Sequence, residues 1–198
     1  MAAKKGQEIA TIDVAMVTLT TKDGVELGLK TSTQIGVSSQ IETTDAIKLI
    51  VKGVLIAQKR QKSIITGNSI TMKDNVFNPQ LVQILQGGTI EYDVDHSFKK
   101  YTPVKSGEEY SPDPFTLNTY SAQYDASGLI VKYEKTTYPN CTGEPVSFET
   151  EDDVFRAPEY TIISAPAEGE APYTIEMVES LPELTEGTWG TWFIVKLF

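Results

Sequence analysis

The sequence predicts a mainly β fold carrying one short α-helix, at about residues 79–86. Three observations point there. Runs rich in Val, Ile, Thr and Tyr recur along the chain, separated by clusters of Gly, Pro, Asn and Asp. Residues 65–93 hold a stretch punctuated as a helix between two β-rich runs. Asn78 is suited to accept a hydrogen bond from a free backbone N–H, and Pro79 fits the first helical position, where its missing N–H costs nothing. Leu81, Ile84 and Leu85 then share a face, and Gly87-Gly88 supply the left-handed residue that stops the helix. Finally, no apolar run approaches the roughly 18 residues that would span a bilayer; the longest are Gly53 to Ala57 and Trp192 to Val195.

Taken in order, Val14 to Thr20 reads as a strand, Lys22-Asp23-Gly24 as a hairpin turn, and Val25 to Lys30 as the returning partner. Thr31 to Thr44 is polar and weakly patterned, which predicts a mobile loop or an arm that orders against something else. Ile47 to Gln58 gives the longest strand signal. Ile47, Leu49, Val51, Leu55 and Ala57 share one parity; the other, with Ile50, Val54 and Ile56 among its lysines, is half apolar and calls for cover. Lys59, Arg60 and Lys62 make a charged turn before a strand from Ile64 to Met72.

After the helix and a strand ending at Tyr92, residues 94–114 read as loop or insertion. Phe115 to Tyr124 and Leu129 to Tyr138 form a hairpin around Asp125-Ala126-Ser127-Gly128. A loop-rich stretch from 139 to 158 follows, then strands from Tyr160 to Ala165 and from Tyr173 to Val178. Trp189 to Phe198 is apolar on both parities and predicts burial on both sides.

With 198 residues the chain fits one sizeable domain, with the loop-rich insertions near 94–114 and 139–158. The start, through Asp13, has two lysines but no apolar stretch after them, so the expectation is no signal peptide and synthesis in the cytoplasm. Charge is uneven: residues 1–100 carry 12 basic against 10 acidic groups, residues 101–198 carry 5 against 17. A chain of net charge -10 does not seek nucleic acid, whose phosphates it repels.

The chemistry of catalysis is sparse. Cys141 is the single cysteine, which excludes an intrachain disulfide and a thiolate zinc cluster. Asn140-Cys141-Thr142 matches a glycosylation acceptor, read as chance without a secretion signal. Asp95-His96-Ser97 has the letters of a triad, but adjacent side chains diverge and cannot line up as nucleophile, base and orienter. Glu149, Glu151, Asp152 and Asp153 lack the alternating ligands and central glycine of a calcium loop. Gly87-Gly88 follows a helix, so it is no phosphate cradle. Tyr120, Tyr124, Tyr133 and Tyr138 read as sheet residues before they read as a stacking platform. Lys48, Lys52, Lys59, Arg60 and Lys62 are either a solvated face or a contact for an anionic partner, including the acidic half of a neighbouring copy. No enzyme, cofactor or metal is expected.

Thr66-Gly67-Asn68-Ser69, Asp74-Asn75, Phe77-Asn78-Pro79, Leu81-Val82 and Leu85-Gln86-Gly87-Gly88 form a pattern. Through it, Ile65 to Asp93 resembles the major tail tube proteins of tailed bacteriophages and of phage-like particles of Gram-positive bacteria. The resemblance implies a β-sandwich or barrel-like fold with one flanking helix, forming rings, usually hexameric, whose inner sheets join edge to edge and which stack through loops and arms. It implies as partners further copies of the chain, a tape-measure protein, tail-end or baseplate proteins and, in a contractile tail, a sheath. Phage DNA would pass through the lumen without specific binding. The place implied is the virion tail, assembled in the host bacterial cytoplasm, with no membrane. Residues expected to serve self-assembly are Ile35, Val37, Ile41, Ile50, Val54, Ile56, Trp189, Trp192 and Phe193. The alternative is a carbohydrate- or receptor-binding β-sandwich module of a phage tail or cell surface.

Overall fold

The computed structural model describes residues 9–147, 151–153 and 156–184. Its main sheet runs in the order β2 (Glu26–Leu29), β1 (Thr11–Thr21), β9 (Phe115–Tyr124), β10 (Ile130–Gly143), β11 (Glu159–Ser164), β6 (Lys62–Asp74) and β3 (Ser32–Thr44). Every pairing is antiparallel. Strand β12 (Thr174–Val178) lies in line with β11 on the same side of β10, Ser164 opposite Cys141 and Thr174 opposite Thr137. Two hairpins stand apart from this sheet: β4 (Ile47–Val51) with β5 (Val54–Lys59), and β7 (Thr89–Tyr92) with β8 (Phe98–Thr102). The helix α1 spans Pro79–Gln86. The fold is therefore mainly β with one short helix among the described residues, as expected.

One core cluster draws on both ends of the sheet path. Val17, Leu19, Leu27 and Leu29 come from β1 and β2, Ile70 and Met72 from β6, and Tyr160 and Ile162 from β11. Residues so far apart in strand order meet only if the sheet curls over itself. Leu81, Val82 and Leu85 of α1 complete the same cluster, so the helix closes an open side of the curl. Each such side chain contributes roughly 1.5–3 kcal/mol by leaving water. On the other face of the sheet a polar row crosses three strands: Asn118 Nδ2 donates to Thr18 Oγ1 at 3.1 Å and Thr137 Oγ1 donates to Asn118 Oδ1 at 2.8 Å. Leu184 lies against Gly28 on this face, where any larger residue would collide with it.

The helix is held at both ends as its sequence predicts. Asn78 Oδ1 accepts from the backbone N–H groups of Gln80 and Leu81 at 3.0 and 3.1 Å, and Pro79 follows it. At the other end Gly87 has φ +72 and its N–H donates to Gln83 O at 2.9 Å. Gly88, at φ +89, also has no room for a side chain, because a Cβ would stand 2.5 Å from Thr102 O. Leu81, Val82 and Leu85 are buried, while Ile84 is half-buried against the cluster. The last turn is clasped from three later segments. Tyr101 donates its hydroxyl to Gly87 O at 2.8 Å, the Tyr110 hydroxyl reaches Leu85 O at 3.2 Å, and the N–H of Val146 donates to Gln86 Oε1 at 2.8 Å.

Four sequence readings are corrected. Thr31 to Thr44 is not a loop: Ser32–Thr44 is a 13-residue strand, made so by β6, whose Met72 and Ile70 stand opposite Ile35 and Val37. Ile47 to Gln58 is not one strand but the hairpin β4–β5, turning at Lys52 (φ +51) and Gly53 (φ +80) between the paired Val51 and Val54. Apolar residues on both parities masked that turn. The 94–114 stretch contains β8. The 139–158 stretch begins as strand, because β10 runs on to Gly143 through an irregularity at Pro139 and Asn140 (φ +47). Trp189 to Phe198 lies outside the described residues.

Two predictions follow from this packing. Asn78→Ala removes the acceptor of two helix N–H groups and is expected to cost about 1 kcal/mol, read as a fall of about 2–4 °C in Tm. The second concerns alkali. Burial pushes the Cys141 thiol up to about 11, and burial pushes the Tyr138 and Tyr160 hydroxyls up to about 12. Each group keeps its proton in the folded chain at a pH where the unfolded chain has lost it, so their stabilising effect is complete below the unfolded values of 9.0 and 10.0 and is lost as pH rises towards the folded ones. Tm is expected to fall progressively above about pH 9. In an ultraviolet titration Tyr138 and Tyr160 should ionise only together with unfolding.

Candidate assembly surface

Strands β3 and β6 stay paired well past the body of the protein. Strand β6 is bonded on its other side to β11 only as far as Asn68, opposite Ser164; residues 62–67 pair with β3 alone. The ladder passes from Gln40–Gly67 to Ile41–Ile65, leaving Thr66 as an extra residue whose Oγ1 donates to Gln40 O at 3.4 Å. Beyond Thr44–Lys62, the hairpin β4–β5 prolongs the same two strands to the tip at Lys52-Gly53. From Gln40 to the tip this arm reaches on the order of 40 Å at strand rise.

The root of the arm is built from the residues that carried the sequence pattern. Gly67 lies so close to Ser164 O that a Cβ would collide with it. Asn68 is fully buried: its Nδ2 donates to Pro172 O at 2.9 Å, and its Oδ1 accepts from Ser39 Oγ at 3.1 Å. One side chain thus ties β3, β6 and the segment before β12 together where the sheet divides.

The arm is apolar and in water on both faces. On one face Ile47, Leu49 and Val51 stand opposite Lys59, Ala57 and Val54; on the other Lys48 and Ile50 stand opposite Gln58 and Leu55, and Ile56 is the extra residue of a second irregularity. The apolar side chains here are 48% to 65% exposed, apart from Ala57. Ile41, Ile64 and Ile65 nearer the root are equally open. Of the residues expected to serve assembly, Ile35 is half-buried against the core in the body, opposite Met72, and Val37, opposite Ile70, is 45% exposed. Ile41, Ile50, Val54 and Ile56 are gathered on the arm, and Trp189, Trp192 and Phe193 lie outside the described residues. Ile64, Ile65 and Leu55 belong to this surface although strand parity alone did not single them out. The root residue Asn68 was hidden because its partner Pro172 is 104 positions away.

Other candidates do not converge. Asp95 and Ser97 close the β7–β8 turn through two hydrogen bonds to Asp95 Oδ1, of 3.1 Å from Ser97 N and 2.7 Å from Ser97 Oγ, which hold the Asp95 carboxyl below its usual range. Among the described residues no three His, Cys, Asp or Glu are placed to hold a metal ion. Tyr120 and Tyr138 are buried and Tyr133 is half-buried, leaving Tyr124 as the exposed member of that set. A shallow depression of about 300 Å³ beside Thr20, Lys22, Pro139 and Asn140 carries no aromatic platform, since Phe115 beneath it is 2% exposed. No described helix is long and apolar enough to cross a membrane.

No family model matches the chain, and no curated protein matches it. Among solved structures, it is similar to a chain in the cryo-EM structure of the anti-feeding prophage baseplate, 6-fold symmetrised, with a TM-score of 0.37 and 9% identity over 87% of this chain and 97% of that one.

The root yields a prediction of its own. Asn68→Ala removes a fully buried side chain and its two hydrogen bonds, one to the half-buried Pro172 and one from the exposed Ser39, and should cost about 1–2 kcal/mol in urea unfolding, about 0.5–1.5 kcal/mol for each bond lost.

Proposed function

We propose that this chain is a structural subunit of a phage tail tube, without catalytic activity, that assembles with its own copies into stacked rings enclosing a passage for DNA. The observation that supports this most is the arm. An unpaired two-stranded ribbon with apolar side chains open on both faces is a template for pairing with another chain, and isolated proteins ordinarily blunt such edges. Covering the arm with neighbouring copies would recover roughly 1.5–3 kcal/mol for each large apolar side chain removed from water. A heterologous contact that closes on itself makes a ring, and the resemblance of residues 65–93 to tail tube proteins favours six members. The net charge of -10 suits a conduit through which DNA slides without sticking. In this reading the chain belongs to the virion tail, assembled in the host cytoplasm. Its partners are a tape-measure protein, tail-end or baseplate proteins and, in a contractile tail, a sheath.

Negative-stain electron microscopy of the purified protein tests the reading, with rings or tubes as the expected result. The triple variant Ile50→Ser, Val54→Ser, Ile56→Ser should keep the circular dichroism spectrum and Tm of the single chain, because these side chains pack against nothing in the body, while rings and tubes disappear. Wild-type protein that stays monomeric at every salt and concentration would overturn the proposal.

A further inference from the structure

The face of the main sheet that carries Thr18, Asn118 and Thr137 is covered at one end and open at the other. Beyond Val178, which stands opposite Tyr133, the chain leaves β12 and crosses this face. Glu179 pairs with Lys132 at 2.7 Å. Leu184 then settles over Gly28 of β2, beside the Met16 side chain and on the far side of β10, β9 and β1. Residues 179–184 thus form a strap from β12 to β2. At the strapped end Met16 and Tyr120 stand opposite one another, both outside the core cluster and both buried. Towards the β9–β10 turn the same face is bare. Ile12 stands opposite Ala122 and Ile130 opposite Tyr124; Ile12, Tyr124 and Ile130 are exposed, and Leu129 and Val131 beside them are equally open.

We infer that this open end is the seat of the chain's own residues 189–198, which hold Trp189, Trp192 and Phe193 and are apolar on both parities. The seat does not depend on the tail tube reading, and it takes these three aromatics out of the contacts between copies. Three features select this segment as the occupant. The first is delivery. Leu184 lies beside Met16, opposite Tyr120, and Tyr124 is roughly 13 Å further along β9 at strand rise, a distance that residues 185–188 span. The second is tethering, which holds the segment at the seat at an effective concentration on the order of millimolar, where a free copy must be gathered from dilute solution. The third is chemistry. Lys196 is the one charged residue of the segment, and at the seat Lys132 and Glu179 already answer each other. Apolar surface is thus offered to apolar surface, and each covers what the other would leave in water.

Trp189 and Trp192 are the chain's two tryptophans, so tryptophan emission and its quenching by acrylamide read this segment alone. The measurement uses the full-length arm variant Ile50→Ser, Val54→Ser, Ile56→Ser at a dilution where sedimentation shows single chains. Its emission is expected to be blue-shifted and weakly quenched, and to stay so on further dilution. Adding Ile12→Ser and Ile130→Ser, at exposed sites, should shift the emission to the red and raise quenching with the circular dichroism spectrum unchanged. Gly28→Val, whose side chain collides with Leu184, should do the same by displacing the strap from its other end. Single chains that already emit like the unfolded chain would overturn the inference. Blue emission that appears only as copies associate would overturn it in favour of a contact between copies. Blue emission that both the seat variant and Gly28→Val leave unchanged would place the segment elsewhere and overturn the seat. Rings or tubes of the wild type are scored separately by microscopy, so the tail tube reading stands or falls apart from these outcomes.

Discussion

Everything in this molecule hangs on β6 being two things at once. From Asn68 to Asp74 it is an inner strand, bonded on both sides and burying Ile70 and Met72; from Lys62 to Gly67 it is half of a ribbon in water. The change of role occurs within one residue, and Asn68 carries it. Its amide supplies one donor, to Pro172 O, and one acceptor, for the Ser39 hydroxyl, where the sheet divides. Thr66 and Gly67 beside it provide the extra residue and the missing side chain that let the ribbon bend away. Body and arm are thus coupled through the hydrogen bonds of one fully buried amide, one of them shared with an exposed hydroxyl.

The parts legible in the sequence are those written locally. Asn78, Pro79, Gly87 and Gly88 mark the helix because capping involves residues within a turn of one another. Asp125 marks the β9–β10 turn for the same reason, accepting from Ser127 and Leu129. Strand β3 was illegible because its polar residues have no β character of their own; they are strand by virtue of β6 alongside them. The tip at Lys52-Gly53 was hidden inside an apolar run that reads the same straight or folded. The candidate surface was half legible. Ile41, Ile50, Val54 and Ile56 were visible as apolar side chains needing cover, but that they stand together on a projecting ribbon depends on pairings made elsewhere.

Charge and hydrophobicity serve different ends here. The body gathers most of its buried apolar groups in one cluster, though Ile12, Val94, Leu129 and Ile175 stay open, and holds Lys73, Lys100, Lys105, Lys132 and Lys135 in exposed ion pairs, each worth little. The arm does the reverse, with apolar groups open and cations unpaired among the described residues. Lysines set among exposed apolar strands are also the common device against indiscriminate sticking. The same side chains therefore discourage wrong contacts while leaving a right one available.

The clasp on the helix has a consequence in time. Eight residues do not make a stable helix alone, and its last turn waits for Tyr101, Tyr110 and Val146, which bond to it, and for Gly143, which lies against Leu85. Strand β1 likewise waits for β9, about a hundred positions later. The hairpin β4–β5 waits for nothing, and such hairpins close in about 1–10 μs, whereas long-range pairings are slow. The stickiest part of the chain is complete first, on a ribosome-bound or freshly released chain with no body to carry it. Its lysines matter most in that interval.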